Sequence, residues 1–349
     1  MFNSAMRRSM TIVTATAAAA LLLAGCAGQT AASDENGNTK ITLTSQPNGA
    51  GLPFFIAEKE GYFADEGLAV TVANYASGAA SLAAGAAGEW QAGWLGAPPA
   101  LTGANSFGLI PVGLMMREDA NHIMFMNADV LEGSTPKEVL ESHPVATQQN
   151  ALSEQVMRAC AEYLGVPSKD VQLVPLEGGA VSQALISGQV DVANSWATPS
   201  WPLLQEPDKF TPVCNGEEAG VAVTSPLVVT PAFLSDDPEA AASFIRAATR
   251  ATEFINENPD KAVDYMVDYY KTYAIAGDRE QAQYEVEIRD WFTLDESIES
   301  TESGQTADAL KASAQFFVDA GVYPQAPPID DLLETGLELM KNAQAGEAE

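Results

Sequence analysis

Residues 78–99 read GAASLAAGAAGEWQAGWLGAPP, and residues 178–199 read GGAVSQALISGQVDVANSWATP. Laid over one another without a gap, Gly78 meets Gly178, Ala80 meets Ala180, Ala84 meets Ala184 and Gly88 meets Gly188. Gln91 then falls opposite Asp191, Gly93 opposite Ala193, and Pro99 opposite Pro199. Each copy holds a helix of small residues closed by glycine, a short apolar strand, and a proline suited to a helix start. A segment repeated at a constant offset of 100 residues implies two lobes of similar build.

The flanking sequence extends both copies. Before the first, Lys40-Ile41-Thr42-Leu43-Thr44 alternates apolar and polar residues as a strand does. Pro53 opens a short helix, Phe54–Glu60, that Gly61 stops, and Leu68–Val72 and Gln91–Trp94 are further strands. Around the second copy, Pro144–Ala146, Val171–Leu176 and Val190–Asn194 read as strands, Ser153–Leu164 and Ala180–Ser187 as helices. Strand–helix alternation with short loops predicts parallel α/β sheets. From about Ala222 the pattern turns helical. Asp237-Pro238 and Asn258-Pro259 start two helices, and Ala309–Ala320 and Ile329–Met340 are two more. Asp290–Asp308, between them, reads as acidic and turn-rich.

The chain has 349 residues, enough for two domains, and its 46% hydrophobic and 18% charged residues are a globular composition. Its 17 Lys+Arg against 47 Asp+Glu give a net charge of −30. That balance argues against a nucleic-acid partner and against a polybasic membrane patch. The acidity reads as a well-solvated surface. Arg7 and Arg8, the apolar run from Met10 to Leu23 and small residues thereafter form a secretory leader over 1–25, too short and alanine-rich for a membrane span. Leu23-Ala24-Gly25-Cys26 resembles a bacterial lipobox, which makes Cys26 the lipidated first residue of the mature chain. Residues 26–39 then read as a flexible tether. Outside the cytoplasm, Cys160 and Cys214 are free either to form a disulfide or to remain two buried thiols.

Little in the chain suggests catalysis. It has two histidines and three cysteines, and lacks a Gly-x-Ser-x-Gly elbow, a Gly-x-Gly-x-x-Gly turn and a phosphate loop ending in Gly-Lys. His122 reads as the start of a strand over Ile123–Met126, and His143 as a turn residue before Pro144. Asp236-Asp237 and Asp330-Asp331 sit where helix caps account for them. No catalytic, cofactor or metal residue is assigned.

Leu52-Pro53-Phe54-Phe55-Ile56-Ala57-Glu58-Lys59-Glu60-Gly61-Tyr62-Phe63, followed by Glu66-Gly67-Leu68, resembles the opening signature of the nitrate/sulfonate/taurine-binding proteins. These are extracytoplasmic solute-binding components of ABC importers, with relatives that bind thiamine-pyrimidine precursors. The two glycine-led repeats, Asn256–Tyr270 and Phe316–Met340 fit the same pattern, so the resemblance spans nearly all of residues 40–340. It implies an α/β fold of periplasmic-binding-protein type, a bilobal clamp of parallel or mixed sheets joined by two hinge crossings. Lobe 1 would hold 40–125 plus 222–349, and lobe 2 would hold 126–221. It also implies a lipid-anchored monomer at the bacterial cell membrane that passes a small organic molecule to permease and ATPase subunits. One enzyme shares this fold, the fungal thiamine-pyrimidine synthase, but it needs a cysteine-rich motif and an active-site histidine. A ligand-sensing lipoprotein is the other alternative.

In such sheets ligands bind beyond the carboxyl ends of strands. In the first lobe those ends carry Ser45, Gln46, Asn48, Ser77, Gly78, Trp94 and Gly96. In the second they carry Gln148, Asn150, Glu177, Gly178, Trp196 and Thr198. Gly78 and Gly178 would let backbone N–H groups approach a ligand, and Trp94 and Trp196 would sandwich a flat one. None of these loops holds Lys or Arg, which weakens an inorganic-anion reading, and Arg117 and Lys59 are the nearest cations in sequence. A neutral or partly cationic nitrogen heterocycle would instead bond to Glu177, Gln148 and Asn150. Gln91 stands where the family commonly has aspartate and should brace the strand–helix turn.

Overall fold

Alternating apolar residues give β1 (Thr39–Ser45), which pairs in parallel with β2 (Leu68–Asn74), Ile41 beside Val70 and Leu43 beside Val72. β3 (Ala92–Trp94) joins its other side, and β4 (Ile110–Arg117) follows. The chain then enters a second sheet through β5 (Ile123–Asn127) and adds β6 (Val145–Thr147), β7 (Leu173–Pro175), β8 (Val192–Ser195) and β9 (Phe210–Asn215). It returns to the first sheet through β10 (Thr224–Val229) and β11 (Asp290–Trp291). The structure, a computed structural model, describes residues 33–346. The leader and Cys26 lie outside those residues. Ser33–Thr39, assigned to the tether, folds into a bridge and turn in which Asp34 accepts from the Asn36 and Asn38 amides.

The strand orders are β11-β4-β10-β3-β1-β2 and β7-β6-β8-β5-β9. Both sheets therefore share one plan. A parallel trio (β2-β1-β3, β7-β6-β8) is extended by a strand that runs the other way, β10 in one and β5 in the other. Each of these antiparallel strands is delivered by the chain arriving from the opposite sheet. β10 corresponds to no strand expected from the sequence pattern, and with it the first sheet is mixed, as the second is through β5. The first crossing runs through 118–122, because the apolar run after His122 pairs at once: Ile123 lies beside Ser195 and Phe125 beside Ala193. That is earlier than the boundary expected after residue 125. The second crossing runs through 216–223. The two are laced together by the Glu118 amide to Val223 O (2.9 Å), the Gly216 amide to His122 O (3.2 Å), and the Val223 amide to an Asp119 carboxylate (2.6 Å).

Helices cover the sheets where capping and apolar faces predict them. Helix Pro238–Glu257 begins at Asp237, whose carboxylate accepts from the Ala240 amide. Its Phe244 meets Phe54 of helix Leu52–Lys59 edge-on at 5.8 Å, both rings fully buried. Burying each such ring contributes about 2–3 kcal/mol. Asp290–Asp308 is not turn-rich as expected. Thr293 and Glu296 form a reciprocal capping box, and helix Leu294–Glu302 follows. Helix Gln305–Asp319 sends Leu310, Ala314 and Phe317 into the core shared with Val156, Cys160 and Cys214 of the second sheet's domain, and Ser313 bonds to Gln155. Cys160 and Cys214 are joined in a disulfide, Cα–Cα 5.8 Å, which ties helix Leu152–Tyr163 to β9.

Candidate functional site

A cavity of about 280 Å³ lies between the two sheets, lined by the loops at their facing strand ends. Of the residues expected there, Gln46, Asn48, Ser77, Gly78, Trp94, Gly96, Gln148, Asn150, Glu177 and Trp196 line it. Ser45, Gly178 and Thr198 do not. Ser45 stands behind the wall, where its hydroxyl accepts from the Trp94 indole N–H at 3.0 Å and fixes that ring. Gly178 shapes the turn next to Glu177 with φ +48°. Thr198 turns its hydroxyl to Glu285. Arg117 is bound to Asp119, and Lys59 lies over the Phe55 ring, so neither supplies a cation to the cavity.

Each wall is held by identifiable contacts. On the first sheet, Gly93 lets β3 lie against β1, since a Cβ there would overlap Thr44. Asn48 caps the turn Gly49–Gly51 by accepting from the Ala50 amide, and the Tyr269 hydroxyl donates to Gln46 O at 3.1 Å. A Cβ at Gly78 would sit 2.7 Å from the Pro99 ring, so the close packing of these two residues itself requires glycine there. Gln91 braces β1 by accepting from the Thr42 amide at 2.8 Å. On the second sheet, Asn150 takes a left-handed conformation (φ +56°) that asparagine tolerates, with its amide held by Glu154. The Gln148 side chain donates to exposed Glu177 at 2.9 Å, so the Glu177 carboxylate stands at the rim.

The floor comes from residues that sequence reasoning left out. Arg289, 5% exposed, reaches the cavity from beyond β10 and donates to Glu118 at 2.9 Å. It also pairs with Glu285 at 3.6 Å, so its charge is countered by two carboxylates. Glu118 accepts from Asn121 as well, and Asn121 in turn accepts from the Ala197 amide at 2.6 Å. His122 is buried and stacks nearly parallel on Trp196, centroids 6.0 Å apart. Burial, and then the positive charge of Arg289, push its pKa down to about 3, so it is neutral at physiological pH. Ser225 brings a buried hydroxyl without a protein partner to the wall. The lining is thus amides, hydroxyls and aromatic rings around one guanidinium and the carboxylates of Glu118 and Glu177. Among the described residues no cluster of three or more His, Cys, Asp or Glu is arranged for a metal, and no helix is long and apolar enough to cross a membrane.

Comparison with known proteins matches this architecture. The chain is 25% identical over 254 residues to a formylaminopyrimidine-binding protein of Halalkalibacterium halodurans, covering 71% of this chain and 76% of that one. It is 22% identical over 343 residues to a protein of Brachyspira hyodysenteriae carrying the provisional description of an ABC transporter periplasmic binding protein, covering 92% and 94%. Its fold is that of the alkanesulfonate-binding protein SsuA of Xanthomonas axonopodis pv. citri, solved bound to MOPS, with a TM-score of 0.69 at 14% identity over 86% of this chain and 99% of the other. The two sheets on a shared plan are therefore a periplasmic-binding-protein-like fold. Residues 48–262, more than half of the chain, match the family described as NMT1/THI5 like, and the protein belongs to that family.

Proposed function

We propose that this protein is the extracytoplasmic solute-binding component of an ABC importer, lipid-anchored through Cys26, which captures a small molecule between its lobes and delivers it to a permease. The observation that carries this reading is the cavity itself, polar and aromatic, placed where both sheets end and directly against the two chain crossings. A cleft at a hinge can close on its contents, and a ligand bound by both lobes stabilises the closed form. The Brachyspira relative, aligned along almost the whole chain, supports the transport role.

For the ligand we favour a neutral or cationic nitrogen heterocycle over nitrate, a sulfonate or taurine. The only guanidinium among the described residues lining the cavity is already bound to Glu118 and Glu285, and Glu177 adds a carboxylate at the rim. A bare anion would meet net negative charge, whereas a ring bearing amino groups finds acceptors in Glu177, Gln148 and Asn150 and a flat face in Trp196. The formylaminopyrimidine-binding relative points the same way.

The test is a thermal-shift screen across nitrate, alkanesulfonates, aromatic acids and aminopyrimidines. A ligand at about one hundred times its Kd should stabilise the protein by about 2.7 kcal/mol. The shift is expected for an aminopyrimidine, and Trp196→Ala should weaken its binding about tenfold or more. A sulfonate-only response would refute the ligand class, and no response to any of the four would count against the receptor itself.

A further inference from the structure

Thr198 stands two residues beyond Trp196, in the loop after β8. Its φ of +74° is a conformation that β-branched residues rarely adopt. Such a backbone persists only where surrounding contacts hold it. Here the contact crosses between the lobes. The Thr198 hydroxyl donates at 2.7 Å to Glu285, on helix Arg279–Glu287 of the first sheet's domain. Glu285 is fully buried, and the same carboxylate oxygen accepts from the Tyr270 hydroxyl (2.8 Å) and the Gln281 amide (3.0 Å). Gly49 makes room for it, since a Cβ there would overlap the carboxylate. One residue before Thr198, the Ala197 amide is held by Asn121 at the first crossing. Three residues after it, Trp201 packs on Tyr284, centroids 5.6 Å apart.

We propose that Thr198 is a positioning residue, a latch that fastens the Trp196 loop to the opposite lobe. Lobe closure and the placement of Trp196 then occur together. This rests on the reading of the cavity as a ligand cleft. Thr198 does not line the cavity, so it acts on the ligand only through Trp196 and through the closed fraction. Removing its hydroxyl leaves Glu285 with two of three donors on that oxygen, so helix Arg279–Glu287 stays satisfied and the cost falls on closure.

The experiment places spin labels at Ala86→Cys and Gln189→Cys, both exposed and one in each lobe, in the full chain with Cys26→Ser, and measures the interlobe distance distribution. Thr198→Val, which keeps the shape and loses the donor, should move the open-to-closed ratio about tenfold toward open, and Thr198→Ser should restore the parent distribution. In parallel, 4-amino-2-methylpyrimidine should dissociate about tenfold faster from Thr198→Val, with the melting temperature of the ligand-free protein unchanged. A Thr198→Val distribution identical to the parent overturns the latch. So does a Thr198→Ser protein as open as Thr198→Val, because the hydroxyl would then not be the fastening. If the parent protein ignores both pyrimidines and sulfonates, the receptor reading fails, and the distance measurement still decides the latch.

Discussion

Deleting the Cys160–Cys214 bridge tests whether the two lobes share their stability. The cysteines are 54 residues apart in sequence, so the bridge removes loop-closure entropy from the unfolded chain. On the chain-entropy scale a loop of that size is worth about 14 cal/mol/K, or about 4 kcal/mol at 25 °C. The effect on melting depends on what melts together. Residues 33–346 unfolding as one unit have an unfolding entropy of about 0.65 kcal/mol/K, so the loss lowers Tm by about 6 °C. The second lobe melting alone, at roughly 100 residues, would fall by about 20 °C. The structure favours the smaller figure, because Leu310, Ala314 and Phe317 of helix Gln305–Asp319 complete the core around the bridge. Differential scanning calorimetry of Cys160→Ala/Cys214→Ala should show one transition lowered by about 6 °C, and the parent with reductant should match it. A new, separate low-temperature transition would refute the shared core. A shift of about a degree would refute the loop-entropy reasoning.

Two further expectations concern the cavity floor. His122 is neutral when folded, with a pKa of about 3 against an ordinary value of 6.5, so protons bind the unfolded chain more readily. Its contribution is whole above the ordinary value and is lost as pH falls toward 3, by about 2 kcal/mol at about pH 5. His122→Phe keeps a flat ring against Trp196 and should flatten that part of the stability–pH curve in urea titrations; an unchanged slope would show that His122 is not the titrating group. Arg289→Met strands the Glu118 and Glu285 carboxylates in the interior and should cost about 3–5 kcal/mol in urea unfolding. A loss under about 1 kcal/mol would mean that the carboxylates find protons or water instead.

What could be read from the sequence was local. The alternation in Lys40–Thr44, the repeated glycines and the prolines opening helices each act over a few residues, and the corresponding strands and helices lie within a residue or two of expectation. The facing loops followed from the same periodicity, because strand ends in a parallel trio point one way. What was missed depends on partners distant in the chain. β10 runs Thr224-Ser225-Pro226-Leu227-Val228-Val229, buried on every residue, and so shows neither the apolar/polar alternation nor the unbroken apolar run that betrays a strand. Arg289 looks like any surface arginine until Glu118, 171 residues away, is placed beside it. His122 reads as a strand start and stands immediately before β5, and only the stacking of Trp196 on it reveals a second role. Thr198 shows the reverse: expected at the cavity by position, it does not line it and turns its hydroxyl to Glu285.

The exchange of strands between the sheets constrains how the molecule assembles. The second sheet draws all of β5–β9 from one uninterrupted stretch, Ile123–Asn215, whereas the first leaves an opening between β3 and β4 that only Thr224–Val229 can occupy. A chain emerging from its amino end would thus complete the later-numbered sheet while the earlier one still displayed two raw edges, each able to recruit a stray strand. The order of maturation runs against the order of the sequence, and truncation anywhere before residue 229 leaves the amino-terminal half unfinished however many of its own residues are present.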